Sequence, residues 1–125
     1  MDIFGEIRKI LAEILDIEDM AITENTYVVR ELGAESIDLL ELAVALNSRF
    51  NADIKDDEIF LRRLRLYITE AKERGKDITR YLMRKFPFLA EGRIEEILSD
   101  LEEGPVLKVK DLVGYVSRQR LPKTD

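Results

Sequence analysis

The sequence predicts an all-α protein, a helical bundle of short amphipathic helices. Apolar residues recur at steps of three and four along most of the 125-residue chain, which is the spacing of a single buried helix face. Gly and Pro residues interrupt these runs, and no stretch alternates apolar and polar residues as a half-buried strand does. A chain of this length can bury about two-thirds of its unfolded surface, so one domain can fold without a metal or a disulfide.

The first helix has the clearest pattern. One apolar stripe is formed by Ile3, Phe4, Ile7, Ile10, Leu11, Ile14 and Leu15. A loop of mixed polar and apolar residues follows from Asp16 to Val29. We expect four apolar side chains to hold the end of this loop on the core: Ile22, Val28, Val29 and Leu32.

A second helix is predicted from about Ser36 to Phe50. Its apolar residues fall on two adjoining lines, Ile37, Leu40 and Val44 on one and Leu42, Leu46 and Phe50 on the other. Glu35, Asp38 and Glu41 mark its other side.

Four more segments carry a helical pattern. Acidic residues at 56–58 favour the start of a helix that continues to about Arg74, where Gly75 stops it. Further helices are predicted over 77–86, 91–101 and 110–119, with Pro87 and Gly104-Pro105 as stops. We expect residues 121–125 to be frayed.

Composition excludes most catalytic chemistry. The chain has no Cys and no His, so it cannot form a thiol nucleophile, an imidazole base or a zinc site of the usual kind. We therefore expect no enzyme. The N-terminus lacks a signal-peptide pattern and no segment is long and apolar enough to span a membrane, which favours a cytoplasmic protein.

Charge is distributed unevenly along the chain. Residues 1–60 hold 15 Asp and Glu against 5 Lys and Arg, whereas residues 61–125 hold 11 against 15, which leaves a net charge of -6. An acidic surface attracts partners with basic patches, although a charge run is equally often only a solvated face. The basic run at 62–65 is too short and too poor in aromatic neighbours to indicate nucleic-acid binding.

One motif combines a turn, a serine and an acidic helix. Residues 31–42 read Glu-Leu-Gly-Ala-Glu-Ser-Ile-Asp-Leu-Leu-Glu-Leu. Gly33 allows a turn that other residues disfavour, and Ser36 stands at a helix N-terminus, where unpaired N–H groups favour an anion. From periodicity alone, Ser36 is more simply explained as an N-cap.

These residues resemble the phosphopantetheine attachment site of acyl carrier proteins. The resemblance extends upstream over 22–26 and downstream over 50–54, and it resumes at 109–116, similar to the last helix of that family. It implies that Ser36 bears 4'-phosphopantetheine, whose thiol holds an acyl group as a thioester. It also implies that Glu35, Asp38 and Glu41 contact a phosphopantetheinyl transferase and acyl-loading and acyl-using enzymes with basic docking patches. The implied acyl-chain pocket contains Val28, Leu32, Leu40, Ala43, Leu46 and Ile59. We expect a monomer that does not insert into membranes.

The chain departs from this family in two ways. Glu35 and Ile37 replace the usual Asp and Leu. The second helix also lacks the carboxylates that the family usually has near its C-terminal end. This favours a specialised lipid or secondary-metabolite pathway rather than ordinary fatty acid biosynthesis. We divide the single domain into a family-like core, about 1–60 and 106–120, and a helical insertion, about 61–105.

The insertion has three possible roles. It can bury its own helices on the bundle, enlarge the acyl-chain cavity or present a basic docking surface. An alternative for the whole chain is a helical protein-interaction module that keeps the fold but is not phosphopantetheinylated. An aminoacyl carrier, which shares the arm and differs in cargo, is a third possibility.

Overall fold

The computed structural model describes residues 2–119. Within that range the chain forms seven α-helices: α1 (Ile3–Leu15), α2 (Ser36–Phe50), α3 (Asp56–Ile59), α4 (Leu64–Glu73), α5 (Ile78–Lys85), α6 (Glu91–Asp100) and α7 (Val109–Gln119). Two 3-10 turns lie at Asp19–Ala21 and Leu101–Glu103, and one isolated β-bridge pairs Tyr27 with Lys108. The all-α prediction is confirmed. The tail predicted to fray, residues 121–125, lies outside the described residues.

Helix α1 starts at a side-chain cap. The Asp2 carboxylate accepts a hydrogen bond of 3.0 Å from the Gly5 N–H, which satisfies one of the free donors of the first turn. The helix buries Ile7 and Leu11 and packs against α2 and α7. It therefore holds the N-terminal half of the chain on its last described helix.

One hydrophobic cluster joins the predicted core and the predicted insertion. Buried residues from α1, α2 and α7 belong to the same cluster as buried residues from α4, α5 and α6. One edge-to-face ring pair connects the two parts, Phe88 and Tyr115 with a centroid distance of 5.0 Å, and two more pairs continue it inside the predicted insertion, at 6.1 Å for Phe86 and Phe88 and 5.5 Å for Tyr67 and Phe86. Each such pair contributes about 0.5 to 1.5 kcal/mol beyond its buried area.

Tyr115 also holds α3 against α7 through two hydrogen bonds of its hydroxyl. Its hydroxyl donates to the Glu58 carboxylate at 3.0 Å and accepts from the Lys55 N–H at 3.2 Å. Burial raises the pKa of Tyr115 to about 12, and the bond to Glu58 acts in the same direction. The phenol therefore stays protonated and keeps its donor bond through the neutral pH range.

The continuous helix predicted from 56 to 74 is wrong. Helix α3 ends at Ile59 and α4 begins at Leu64, and between them Leu61 adopts a left-handed conformation with φ of +56°. A leucine in this region costs about 1 to 2 kcal/mol. Burial of the Leu61 side chain, which is 6% exposed, offsets that cost. The stop at Gly75 is confirmed, since its φ of +63° turns the chain out of α4.

An ion pair ties α6 to α7. The Arg93 guanidinium donates two hydrogen bonds of 2.8 Å to the Asp111 carboxylate and one of 2.8 Å to the Val106 carbonyl. Asp111 also accepts from the Lys108 N–H at 2.9 Å. Both side chains are almost completely buried, so each is paired where water cannot reach it.

None of the helices among the described residues is long and apolar enough to cross a lipid bilayer.

Candidate functional site

Ser36 is the first residue of α2, and its hydroxyl is available. The side chain is exposed, and no hydrogen bond within residues 2–119 involves its Oγ. The N-cap position belongs to Glu35, whose N–H donates to the Asp38 carboxylate at 2.8 Å. The alternative in which Ser36 serves as the N-cap is therefore not observed. Asp38 reaches back to the cap residue as the third residue of a capping box does.

The surroundings of Ser36 fit a phosphate ester. A free hydroxyl at the start of a 15-residue helix lies at the positive end of the helix dipole, which stabilises a negative group by about 0.3 to 1 kcal/mol at an exposed position. The turn before it is held by hydrogen bonds from the Gly33 N–H to the Val29 carbonyl, 3.0 Å, and from the Ala34 N–H to the Val28 carbonyl, 3.2 Å. Gly33 has a φ of +71°, which disfavours any larger residue.

The predicted recognition carboxylates differ in availability. Glu35 and Glu41 are exposed, whereas Asp38 is half-buried and engaged with the Glu35 N–H. Around them the structure exposes an apolar stripe of α2, which we define as Ile37, Leu40 and Val44, with 58%, 56% and 62% of each side chain accessible. In the sequence these three residues lie on the apolar lines of the helix, and periodicity alone does not mark them as a surface.

The structure separates the predicted acyl-chain pocket residues. Val28, Ala43, Leu46 and Ile59 are buried in the core, Leu32 is half-buried, and Leu40 lies on the surface. The buried four pack within the hydrophobic cluster of the bundle. Val29 and Leu39, which are next in sequence to Val28 and Leu40, line a groove instead.

This groove has a volume of about 380 Å³ and is mostly apolar. Leu39 stands three residues after Ser36 on the same side of α2, so the groove begins about one helical turn from the hydroxyl. Its wall is shared between the predicted core and the predicted insertion and consists of Val29, Leu39, Phe60, Leu61, Arg62, Leu64, Arg65, Leu101, Gly104, Pro105, Val106 and Leu107. Sequence reasoning missed this site because its residues are far apart in the chain.

Hydrogen bonds hold the insertion side of the groove in place. Arg65 donates from Nη2 to the Leu101 carbonyl at 3.1 Å, which links α4 to the 3-10 turn across the groove. Arg30 donates to the Gly104 carbonyl at 3.1 Å and to the Asp100 carboxylate at 3.0 Å. The wall is thereby attached to the segment that leads to Ser36.

Asp100 is the central acceptor of this attachment. The Tyr27 hydroxyl donates to it at 2.6 Å, and this bond, together with the bond from Arg30, lowers the pKa of Asp100. The same contact raises the pKa of Tyr27, and the Arg30 guanidinium lies 4.0 Å from the centre of the Tyr27 ring. The carboxylate thus stays charged at neutral pH and keeps both donors.

Comparisons with known proteins identify the family of the chain. A family model described as phosphopantetheine attachment site matches residues 5–64. The chain is 40% identical over 57 residues to an acyl carrier protein of Lactobacillus acidophilus, an alignment that covers 46% of this chain and 71% of the relative. It is 38% identical over 58 residues to an acyl carrier protein of Wolinella succinogenes, with 46% and 76% covered, and 36% identical over 58 residues to one of Helicobacter pylori, with 46% and 74% covered. No solved structure was found to match.

The fold and the site together define a helical carrier with an exposed serine at a helix N-terminus. The chain belongs to the acyl carrier protein family. It is a carrier of covalently attached 4'-phosphopantetheine and not a catalyst.

Proposed function

We propose that Ser36 is the residue that carries phosphopantetheine and that the arm delivers an acyl group for a specialised lipid or secondary-metabolite pathway. The observation that carries the assignment is the free, exposed Ser36 hydroxyl at the N-terminus of α2, inside the matched residues 5–64. When bound, the group supplies a thiol that holds the cargo as a thioester. The protein's residues position the ester, present it to partners and shelter the cargo.

The partner surface combines charge and apolar area. Glu35 and Glu41 attract basic patches on a phosphopantetheinyl transferase and on the enzymes that load or use the cargo, and contacts of this kind weaken with rising salt. The apolar stripe supplies the area that these enzymes bury on docking, because exposed apolar side chains grouped on one helix indicate an interaction site.

Specialisation is supported by the residues beyond the matched part of the chain. We propose that residues 1–60 and 106–120 form the carrier core and that 61–105 form an insertion within one domain. The shared hydrophobic cluster and the Arg93 to Asp111 ion pair support one cooperative unit.

Cytoplasmic residence and a monomeric state stay predictions from the sequence.

The proposal is tested by intact mass after incubation with coenzyme A and a broad-specificity phosphopantetheinyl transferase. Wild type and Ser48→Ala should gain one phosphopantetheine, and Ser36→Ala should gain none. Ser48 is the matched control because it is a second exposed serine on α2. If Ser36→Ala is still modified, the site assignment is wrong. If nothing is modified while a control carrier in the same tube is, the chain acts as the arm-free interaction module.

A further inference from the structure

The groove beside Ser36 has a wall that comes from the inserted segment. Leu101, Gly104 and Pro105 lie at the end of the insertion, and Arg62 and Arg65 lie near its start. Arg62 lies just inside the family match, which ends at residue 64, and the other four residues lie beyond it. Most of this wall therefore lies outside the matched region.

The lining indicates the chemistry of the occupant. Apolar side chains, among them Leu39, Phe60, Leu64, Leu101 and Val106, cover most of the surface, which suits a hydrocarbon. Both arginines are exposed, and Arg65 is engaged with the Leu101 carbonyl. A charged or strongly polar cargo would leave its polar groups against apolar side chains without partners.

The volume bounds the length of that hydrocarbon. At about 30 Å³ for each water-sized group, a groove of 380 Å³ admits about a dozen methylene groups. Because the groove is partly open and its occupant cannot fill it completely, the best fit is somewhat shorter.

We propose that the inserted segment sets the length of the cargo, and that the groove takes an apolar acyl chain of roughly eight to twelve carbons. Leu101 is the specificity-determining residue, since it is half-buried, lines the groove and is held there by Arg65. This inference rests on the proposed function, because the acyl group reaches the groove from Ser36.

Hydrogen bonds hold the insertion wall of the groove in place, so this wall limits the length of the acyl chain. Residues 100–104 are attached to the loop before α2 by Tyr27 and Arg30 and to α4 by Arg65. A wall attached on both sides does not move outward freely when a longer chain enters. Chains beyond the limit must leave their distal carbons in water.

The test uses the full chain loaded with acyl-phosphopantetheine groups of roughly four to sixteen carbons, a range that brackets the groove. Intact mass first establishes loading, and the thermal midpoint of each acyl form is then compared with that of the unacylated carrier. The midpoint should rise with chain length up to about ten or twelve carbons and then level off, because further carbons bury no additional area.

Variants of the wall should move that levelling point. Leu101→Ala should shift it to longer chains by about two carbons and Leu101→Phe to shorter ones, in line with the side-chain volume removed or added. Arg65→Ala changes an exposed side chain and leaves the core intact. In this variant the thermal midpoint should level off over a wider range of chain lengths than in wild type. Leu66→Ala is the matched control, since Leu66 is 51% exposed on α4 and does not line the groove.

The outcomes separate the two proposals. Absence of loading contradicts the proposed function and with it this inference. A loaded carrier whose midpoint does not depend on chain length, or whose levelling point is the same in both Leu101 variants, overturns the inference and leaves the attachment at Ser36 standing.

Discussion

Ser36 differs from an ordinary helix-start serine because another residue performs the capping. Glu35 occupies the N-cap and Asp38 accepts its N–H, so the Ser36 hydroxyl has no structural bond to maintain. A hydroxyl that makes no hydrogen bond within the described residues can be esterified without loss of a native hydrogen bond. Stability and modification are therefore separable at this residue.

Ser36→Ala should leave the free energy of unfolding within about 0.5 kcal/mol of wild type, because it removes an exposed group without a partner. Loss of a true N-cap would cost about 0.5 to 2 kcal/mol. Urea denaturation of the unmodified protein measures the difference.

Asp38→Ala is the comparison variant. It removes the acceptor of the Glu35 N–H and a first-turn negative charge, so a loss of about 1 kcal/mol is expected. If Ser36→Ala were the more destabilising of the two, the assignment of the cap to Glu35 would be wrong.

At the scale of elements, a glycine ends a helix only where its backbone takes a left-handed conformation. Gly75 has a φ of +63° with open space around the position of a side chain, whereas Gly92 lies inside α6 at ordinary helical angles, also with open space. The two glycines thus differ in backbone conformation and not in crowding.

Gly75→Ala should destabilise the protein by about 1 kcal/mol through backbone strain alone. Gly92→Ala should stabilise it by up to about 1 kcal/mol, since Ala is the better helix former. Thermal and urea unfolding of the two variants in parallel provide the measurement. Equal effects of the same sign would contradict the conformational explanation.

Most helices could be predicted from the sequence because their stripes and stops are local. The break at Leu61 could not, since no Gly, Asn or Pro marks it and burial of the side chain decides the conformation. The exposed stripe of α2 was missed for a related reason. Periodicity shows that two adjoining lines are apolar, but only the packing of α1 shows which line is buried.

At the scale of the whole molecule, a few polar contacts attach the proposed insertion to the proposed carrier core. Residues 100–104 reach Tyr27 and Arg30, and Arg93 reaches Asp111. The groove depends on this attachment, since its walls come from both parts. The sequence motif predicts Ser36 as the attachment site, but the groove joins residues from 29 to 107 and could not be predicted without the fold.

Asp111→Asn should lower the free energy of unfolding by about 3 to 5 kcal/mol, because it removes the buried counter-charge of the Arg93 guanidinium and leaves only the exposed Glu96 carboxylate, 3.5 Å away. Glu96→Gln is the control, since it removes an exposed carboxylate near the same arginine and should cost at most about 1 kcal/mol. Chemical denaturation of both variants checks the contrast. Similar small losses would mean that the ion pair does not hold the insertion on the core.

The central claim is that the Ser36 hydroxyl carries the phosphopantetheine arm, and the most direct measurement is fragmentation of the modified tryptic peptide. Trypsin cuts after Arg30 and Arg49, so residues 31–49 form one peptide whose hydroxyl groups belong to Ser36 and Ser48. The account predicts that fragments containing Ser36 carry the added mass and that fragments containing only Ser48 do not. Added mass on Ser48, or an unmodified peptide from a protein that has gained the group, would contradict it.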